Sequence, residues 1–147
     1  EFPRTLEELD VPFFQIFIDP KKEEQIAWPP KLTSLTCKLS AISEVALLPK
    51  SLKHMALILV SYSPSEPLKT SELPADSERV RLLGSEYRLV CDGVWPRNLR
   101  QFRGSLDVNL ADGKCATFLN LNLPKSLELF EPKWCTTTAS KAGSGPP

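Results

Sequence analysis

The segment that decides the fold prediction runs from Ser105 to Leu121 and reads SLDVNLADGKCATFLNL. Asp112 and Gly113 lie at its centre and make a two-residue loop of the kind that favours a type I′ turn, because both residues tolerate positive φ angles. Apolar and polar residues alternate on both sides of this loop, which indicates two half-buried strands. The segment therefore predicts an antiparallel β-hairpin.

Turn chemistry and alternation predict the same register for this hairpin. The predicted pairs are Leu110 with Cys115, Val108 with Thr117 and Leu106 with Leu119. A shift by one residue would turn the apolar face toward solvent. The side chains expected to line the buried face are Leu106, Val108, Leu110, Cys115, Leu119 and Leu121, and those expected on the outer face are Ser105, Asp107 and Asn109.

Further segments of the chain have the pattern of strands bounded by proline, glycine and small polar residues. Residues Leu35 to Ala41 alternate between apolar and polar, and His54 to Tyr62 contain a continuous apolar run typical of a central strand. A helical turn is predicted from Ser43 to Leu48, and Thr5-x-x-Glu8 has the pattern of a capping box at the start of a short helix. The other predicted strands are Val11 to Ile18, Arg79 to Leu83 and Tyr87 to Cys91.

The predicted fold is mainly β, an antiparallel β-sandwich or curved sheet with one or two short helices. An α+β fold is the alternative, in which Ser43 to Val60 supply helices that pack on one sheet. Residues 1–135 are expected to form a single globular domain, and 136–147 a flexible C-terminal tail of linker-like composition. No internal repeat is predicted.

The charge balance of the chain excludes some classes of partner. Eighteen basic and eighteen acidic residues give a net charge of zero, whereas tight nucleic-acid binding draws on a basic excess. No apolar run reaches the roughly 18 residues that span a bilayer, and contact with a membrane surface stays open. The chain starts without a signal peptide pattern, so an intracellular or virion-associated location is expected, with secretion as the alternative.

The four cysteines, Cys37, Cys91, Cys115 and Cys135, show no C-x-x-C spacing. This absence argues against zinc-ribbon and thioredoxin-type sites. The composition is not that of a disulfide scaffold, so reduced cysteines are expected, and two disulfides are the alternative.

Catalysis has few candidate residues in this chain. His54 is the single histidine, and a pairing with one of the cysteines is the only nucleophile arrangement that the residue types allow. No phosphate-binding loop, dinucleotide fingerprint, metalloprotease motif or nucleophile elbow occurs. The chain is therefore predicted to be no enzyme and to use no cofactor or metal.

The candidate partner-binding residues are Trp28, Trp95, Arg97 and Arg100, because tryptophan and arginine are enriched at the energetic centres of protein interfaces. Both tryptophans precede prolines and are expected in loops. The alternative for the arginines, an RNA contact together with Arg103, conflicts with the small number of positive charges.

Two functions are consistent with these observations. The first is a non-enzymatic structural or assembly protein that self-associates into a homo-oligomer. The alternative is an intracellular β-sandwich module that binds a protein or peptide partner. Both fit a chain with no catalytic set and no net charge to oppose association.

The order of the predicted elements resembles that of the matrix proteins of enveloped negative-strand RNA viruses, the rhabdovirus kind in particular. The resemblance rests on the aromatic strand Phe13 to Phe17 (FFQIF), the apolar segment Met55 to Val60 and the late strand Phe102 to Val108. It implies a viral matrix or coat protein that assembles with itself. The chain departs from that family at Trp28 to Lys31, where a Pro-Pro-x-Tyr tyrosine is missing, and it has no basic membrane-binding region.

Overall fold

Six strands pair side by side in one parallel sheet in the computed structural model, which describes residues 3–16, 28–39, 42–59, 67–84 and 87–135. Their order across the sheet is β1-β2-β3-β5-β7-β8, and two short strands, β4 and β6, form a second parallel pair. The strands are β1 (Glu8–Ile16), β2 (Ser34–Leu39), β3 (His54–Leu59), β4 (Leu68–Lys69), β5 (Arg79–Leu83), β6 (Leu89–Val90), β7 (Gln101–Asp107) and β8 (Leu129–Cys135).

The same turn precedes each strand of the large sheet. In every case the amide three residues after a proline donates to that proline's carbonyl oxygen, at 3.0 to 3.3 Å. The donor–acceptor pairs are Leu6 and Pro3, Leu32 and Pro29, Leu52 and Pro49, Ser77 and Pro74, Leu99 and Pro96, and Leu127 and Pro124. These prolines mark six copies of the pattern apolar-Pro-x-x-Leu-x-x-apolar, spaced 20 to 28 residues apart, with Ser77 in place of the leucine once.

A backbone ladder joins each copy of this pattern to the next. The residue that follows the turn donates its amide to the equivalent residue of the preceding copy, at 2.7 to 2.8 Å. The five links are Thr33 to Glu7, Lys53 to Thr33, Glu78 to Lys53, Arg100 to Glu78 and Glu128 to Arg100. The described chain is therefore a β-solenoid, in which each coil adds one parallel strand.

This architecture shows that the predicted antiparallel sandwich is wrong, and so is the prediction that the chain has no internal repeat. Mainly β content is confirmed, and within the described ranges helix is limited to two 3₁₀ segments, Ile42–Leu47 and Thr70–Glu72. The α+β alternative is also wrong, since the 3₁₀ segment is followed by strand β3. Parallel neighbours need a long connection between them, and the loops of each coil supply it.

Alternate side chains of the strands fill the interior of the solenoid. Strands β2 and β3 show an alternating burial pattern, and β5 shows it as well. An aromatic cluster packs inside the later coils. The rings of Trp95 and Phe102 lie edge to face with their centroids 5.5 Å apart, and the ring centroids of Phe130 and Trp95 are 6.1 Å apart. The indole nitrogen of Trp95 donates to the carbonyl of Leu121 at 2.8 Å.

The Asp-Gly turn forms, but not the hairpin predicted around it. Gly113 has the predicted positive φ, 89°, while its amide donates to Leu110, whose own amide donates to Lys114. This is a three-residue loop with glycine at the left-handed position, so the register is shifted by one residue and Asn109 pairs with Cys115. The antiparallel contact stops there, because the preceding residues of β7 pair with β8 instead.

Burial around this turn differs from the prediction accordingly. Leu106 and Leu121 are buried as predicted, whereas Cys115 is exposed and Leu119 is 94% exposed. Leu106 lies opposite Trp134 of β8, so its pairing with Leu119 was wrong. Leu119 lies on a tight turn stabilised by hydrogen bonds between Thr117 and Asn120.

The predicted solvent exposure of Asp107 is also wrong. Its side chain is 1% exposed; one carboxylate oxygen accepts from the amide of Asn109 at 2.9 Å, and the other lies 3.4 Å from the Arg88 guanidinium. Position 107 ends β7 beside Cys135 of β8, and Arg88, just before β6, lies against its carboxylate.

The predictions for the two ends of the chain and for the remaining strands had different outcomes. The capping box at Thr5 and Glu8 starts no helix, since Glu8 begins β1. Predicted strands are confirmed at β1, β2, β3 and β5, and the one near Tyr87 shortens to β6. The predicted tail, 136–147, lies outside the described residues.

We expect Leu106→Ala to destabilise the protein by about 2–5 kcal/mol, because it leaves a cavity among fully buried side chains. Leu119→Ala removes the same atoms from an exposed turn, and its effect should stay within about 0.5 kcal/mol. Urea unfolding midpoints of the two variants give the comparison. Equal losses would mean that the exposed turn is covered by something in solution.

We expect Asp107→Ala to cost about 1–3 kcal/mol, because it leaves the Asn109 amide without its acceptor. Asp112→Ala, in the exposed turn of the same segment, is the control and should change little. The same denaturant series measures both. An unchanged midpoint for Asp107→Ala would contradict the buried position of this carboxylate.

Candidate functional site

The side chains that alternate with the core residues form an outward surface on the six-stranded sheet, which we call the open face. Because successive side chains of a strand point to opposite faces, the parallel register aligns the outward ones in rows across the strands. The first row is Glu8, Ser34, His54, Arg79, Gln101 and Leu129, and the second is Asp10, Thr36, Ala56, Arg81, Arg103 and Glu131.

Positive charge on the open face is concentrated on β5 and β7. Arg79 and Arg81 are both exposed, and within the described ranges neither makes an ion pair. Arg103, one strand further on, pairs through its guanidinium Nε with the carboxylate of Glu131 on β8. Arg79 and Arg81 are thus two neighbouring cations on this face that are available to an anionic group from outside, and Lys38 of β2 is a half-buried cation on the same face.

Negative charge lies at the two edges of the same face. On β1, Glu8 and Asp10 are exposed on either side of Leu9, which packs on the core. These two acids have no ion-pair partner among the residues that the structure describes. Three strand spacings separate β1 from β5, which corresponds to roughly 14 Å. The face is therefore bipolar, with unpaired acids on β1 and unpaired guanidiniums on β5.

A depression of about 240 Å³ lies on the open face and is lined by residues of β2, β3, β5 and β7. It arises because small side chains on β2 and β3 stand beside the long ones on β5. Ser34, Thr36 and Ala56 are half-buried, while Arg79 and Arg81 extend from the neighbouring strand. A partner that enters the depression meets hydroxyl groups on one side and guanidinium groups on the other.

The single histidine, His54, lies on this face. Its side chain lies in the first row, between Ser34 and Arg79. Cys37, the cysteine on the adjacent strand, is fully buried on the core side. Burial, together with the negative charge of Glu44, raises the pKa of the Cys37 thiol to about 12, so the nucleophilic thiolate is scarce at neutral pH.

All four cysteines are free. Cys91 is buried, which raises the pKa of its thiol, and Cys135 is half-buried, with its pKa raised by burial and by the carboxylate of Asp107. Cys115 is exposed on the turn that follows β7. The three cysteines whose thiol pKa is raised, Cys37, Cys91 and Cys135, are all at least half-buried.

The predicted tryptophans occupy equivalent positions in two coils, directly before the turn-forming proline. Trp28 packs on the core and is half-buried. Trp95 is buried, with 7% of its surface exposed, and its ring lies in the aromatic cluster with Phe102 and Phe130. The structure places their apolar rings against the interior.

The predicted arginines lie near the turn before β7. Arg97 is exposed beside Pro96. Arg100 is exposed as well, but its guanidinium forms hydrogen bonds of 2.9 to 3.2 Å with the carboxylate of Glu128. The structure brings neither of them into the open face.

A second polar group joins the two-stranded sheet to its neighbours. Thr70 and Ser71 donate hydroxyl hydrogen bonds to Asp92. Although partial burial acts to raise the pKa of Asp92, these bonds, with one from the Val94 amide, hold it below the ordinary value. Both carboxylate oxygens of Asp92 therefore accept hydrogen bonds from nearby residues. Within the described part of the chain, no cluster of histidine, cysteine and acidic residues could hold a metal ion.

The unpaired charged residues of the open face could not be recognised from the sequence because each looks ordinary alone. Arg79 and Arg81 are alternate residues of a predicted strand, and Glu8 and Asp10 flank a leucine. The signal that could have found them is the recurring proline pattern, since the residue two positions after its leucine begins the outward row in every coil.

Comparison of this chain with models of protein families, with curated proteins and with solved structures found no match. The resemblance to rhabdovirus matrix proteins and the self-association that it implies stay predictions. Within the described residues, no helix has the length and apolar character that crossing a membrane requires.

We expect Cys115 to react first with a thiol reagent in the folded protein. Cys37 should stay unmodified until the protein unfolds, because it is buried and its pKa is raised to about 12. Mass spectrometry after brief iodoacetamide treatment near neutral pH, with and without urea, measures both. Early labelling of Cys37 in the absence of urea would contradict the position of β2 in the core.

Proposed function

We propose that this chain is a non-catalytic protein-binding module that binds its partner on the open face. The observation that carries the proposal is the pair of exposed guanidiniums, Arg79 and Arg81, beside a depression lined by side chains from successive strands. Solenoids bind partners on extended surfaces of this kind. The coils are similar to leucine-rich repeats in their length and in their recurring leucine and single strand per coil. In such repeats the strands line one continuous face.

The edge of the sheet at β8 is a poor alternative for a partner. The Leu129 amide donates to Arg100, and the Val108 amide donates to Cys135, so odd-numbered residues of β8 direct their backbone groups to β7. Even-numbered residues direct theirs to the free edge, and one of them is Pro132, which has no amide hydrogen. Proline on an edge strand opposes the addition of another strand, which favours the face as the binding surface.

The charges of the face define the chemistry of the partner. Guanidinium groups bind carboxylates through paired, charge-assisted hydrogen bonds, so the partner should be acidic where it meets β5. A nucleic acid fits less well, because Asp10 on β1 and Glu131 on β8 end the second row and Glu8 begins the first, and these acids would repel a continuous chain of phosphates. The partner is therefore a protein segment with a local acidic group and not a polyanion.

The proposal of a non-catalytic role is supported by the positions of the reactive groups. His54 faces outward at the start of β3, while Cys37 and Cys91 lie in the core. Cys115 lies on the turn after β7 and Cys135 at the end of β8, so the candidate base is separated from all four candidate nucleophiles. Hydrolytic or transfer chemistry needs these groups within hydrogen-bond reach of each other.

Binding of a fluorescein-labelled peptide of alternating glutamate and serine, followed by anisotropy, tests the function. The peptide should bind the wild-type chain, and its affinity should fall with added salt. Arg79→Glu together with Arg81→Glu should weaken binding about a hundredfold or more, because two charge-assisted contacts of about 1.5–3 kcal/mol each are lost.

Arg97→Glu, which reverses an exposed arginine outside the open face, is the matched control and should bind as the wild type does. Peptides with lysine in place of glutamate should not bind. Tighter binding of a single-stranded oligonucleotide than of the acidic peptide, or equal binding by the double arginine variant, would refute the proposal.

A further inference from the structure

We propose that the partner of the open face is a second copy of this chain, bound face to face about a two-fold axis parallel to the strands. This inference rests on the proposed function, since it identifies the occupant of the same surface. The observation behind it is that the open face carries both an unpaired acidic strand and an unpaired basic strand, at matching positions of the same two rows.

The symmetry operation determines which strands meet. A two-fold axis that lies between the two faces and runs parallel to the strands keeps the strand direction and reverses the strand order. With the axis between β2 and β3, strand β1 of one copy lies across β5 of the other, and β2 lies across β3. Each row stays in register with its own row in the second copy, as an isologous interface requires.

The charges are then complementary at both ends of the contact. Glu8 faces Arg79 of the second copy in the first row, and Asp10 faces Arg81 of the second copy in the second row. Symmetry repeats both pairs, so four ion pairs form from eight charged groups that have no ion-pair partner within the described residues of one chain. Sheets pack face to face about 10 Å apart, a gap that an acidic side chain and an arginine together can span.

The side chains at the axis permit this approach. In the second row Thr36 lies across Ala56 of the second copy, and in the first row Ser34 lies across His54 of the second copy. Three of these four residue types are small, and all are half-buried. The small side chains on β2 and β3 that form the depression therefore face the same side chains of the second copy.

The size of the contact sets its strength. Four strands span roughly 14 Å, so each copy buries less than the roughly 800 Å² of a standard stable interface. The zero net charge of the chain opposes association only weakly. We therefore expect a weak dimer that responds strongly to salt, because its specificity comes from ion pairs.

Charge reversal with a mixing experiment tests the proposal. One variant carries Arg79→Glu and Arg81→Glu, which makes both β1 and β5 acidic. The other carries Glu8→Arg and Asp10→Arg, which makes both strands basic. Each variant alone should stay monomeric in sedimentation equilibrium at concentrations where the wild type dimerises, since like charges then face each other.

An equimolar mixture of the two variants should dimerise again, because all four pairs are restored with reversed polarity in the heterodimer. Recovery in the mixture also shows that both variants are folded, and their thermal unfolding followed by circular dichroism checks this independently. Arg97→Glu, outside the open face, should dimerise as the wild type does.

The proposal is overturned if the wild type stays monomeric at all concentrations, or if two folded variants stay monomeric when mixed. A monomeric wild type that still binds the acidic peptide through Arg79 and Arg81 refutes the second copy as the partner and leaves the protein-binding function intact. If the wild type neither dimerises nor binds the peptide, both the dimer and the proposed protein-binding function are refuted.

Discussion

The fold depends on one recurring backbone connection, the hydrogen bond between the residue before each strand and its equivalent in the preceding coil. The links from Thr33 to Glu7 and from Lys53 to Thr33 are two of five such bonds. Each follows a proline turn, whose fixed φ directs the chain into the next strand. Because each coil contacts mainly its neighbours, stability is a sum of such local interfaces, and the aromatic cluster around Phe102 strengthens the last of them.

Local structure could be predicted from the sequence, whereas the pairing of strands could not. The alternation in β2 and the apolar run in β3 indicate strands wherever their partners lie, and Gly113 has a positive φ in any turn built on Asp-Gly. Parallel partners, however, are 20 to 28 residues apart, and this variable spacing conceals the period. Ser77 conceals it further, since it replaces the leucine of the pattern and bonds its hydroxyl to Pro74.

The candidate site was harder to predict than the fold for a related reason. A charged residue in a strand is usually a solvated one, and Arg79, Arg81, Glu8 and Asp10 each fit that description. Their relation appears only when the register aligns them in two rows. Tryptophan was predicted at the binding surface because it is typical of interfaces. It is also a large hydrophobic residue, and in this small solenoid the Trp95 side chain is buried and fills the interior.

The solenoid separates the requirements of folding from those of binding along a single strand. In β5 the core holds Val80 and Leu82, while Arg79 and Arg81 point outward and make no contact on which the coil depends. A change of charge on the outward positions leaves the buried positions untouched, so the charge of the open face can be altered at little cost in stability. The converse does not hold, because displacement of Val80 would shift both neighbouring arginines. The positions of the side chains on the open face therefore depend on the packing beneath them. The backbone hydrogen bonds that align the coils also align the charged side chains in rows.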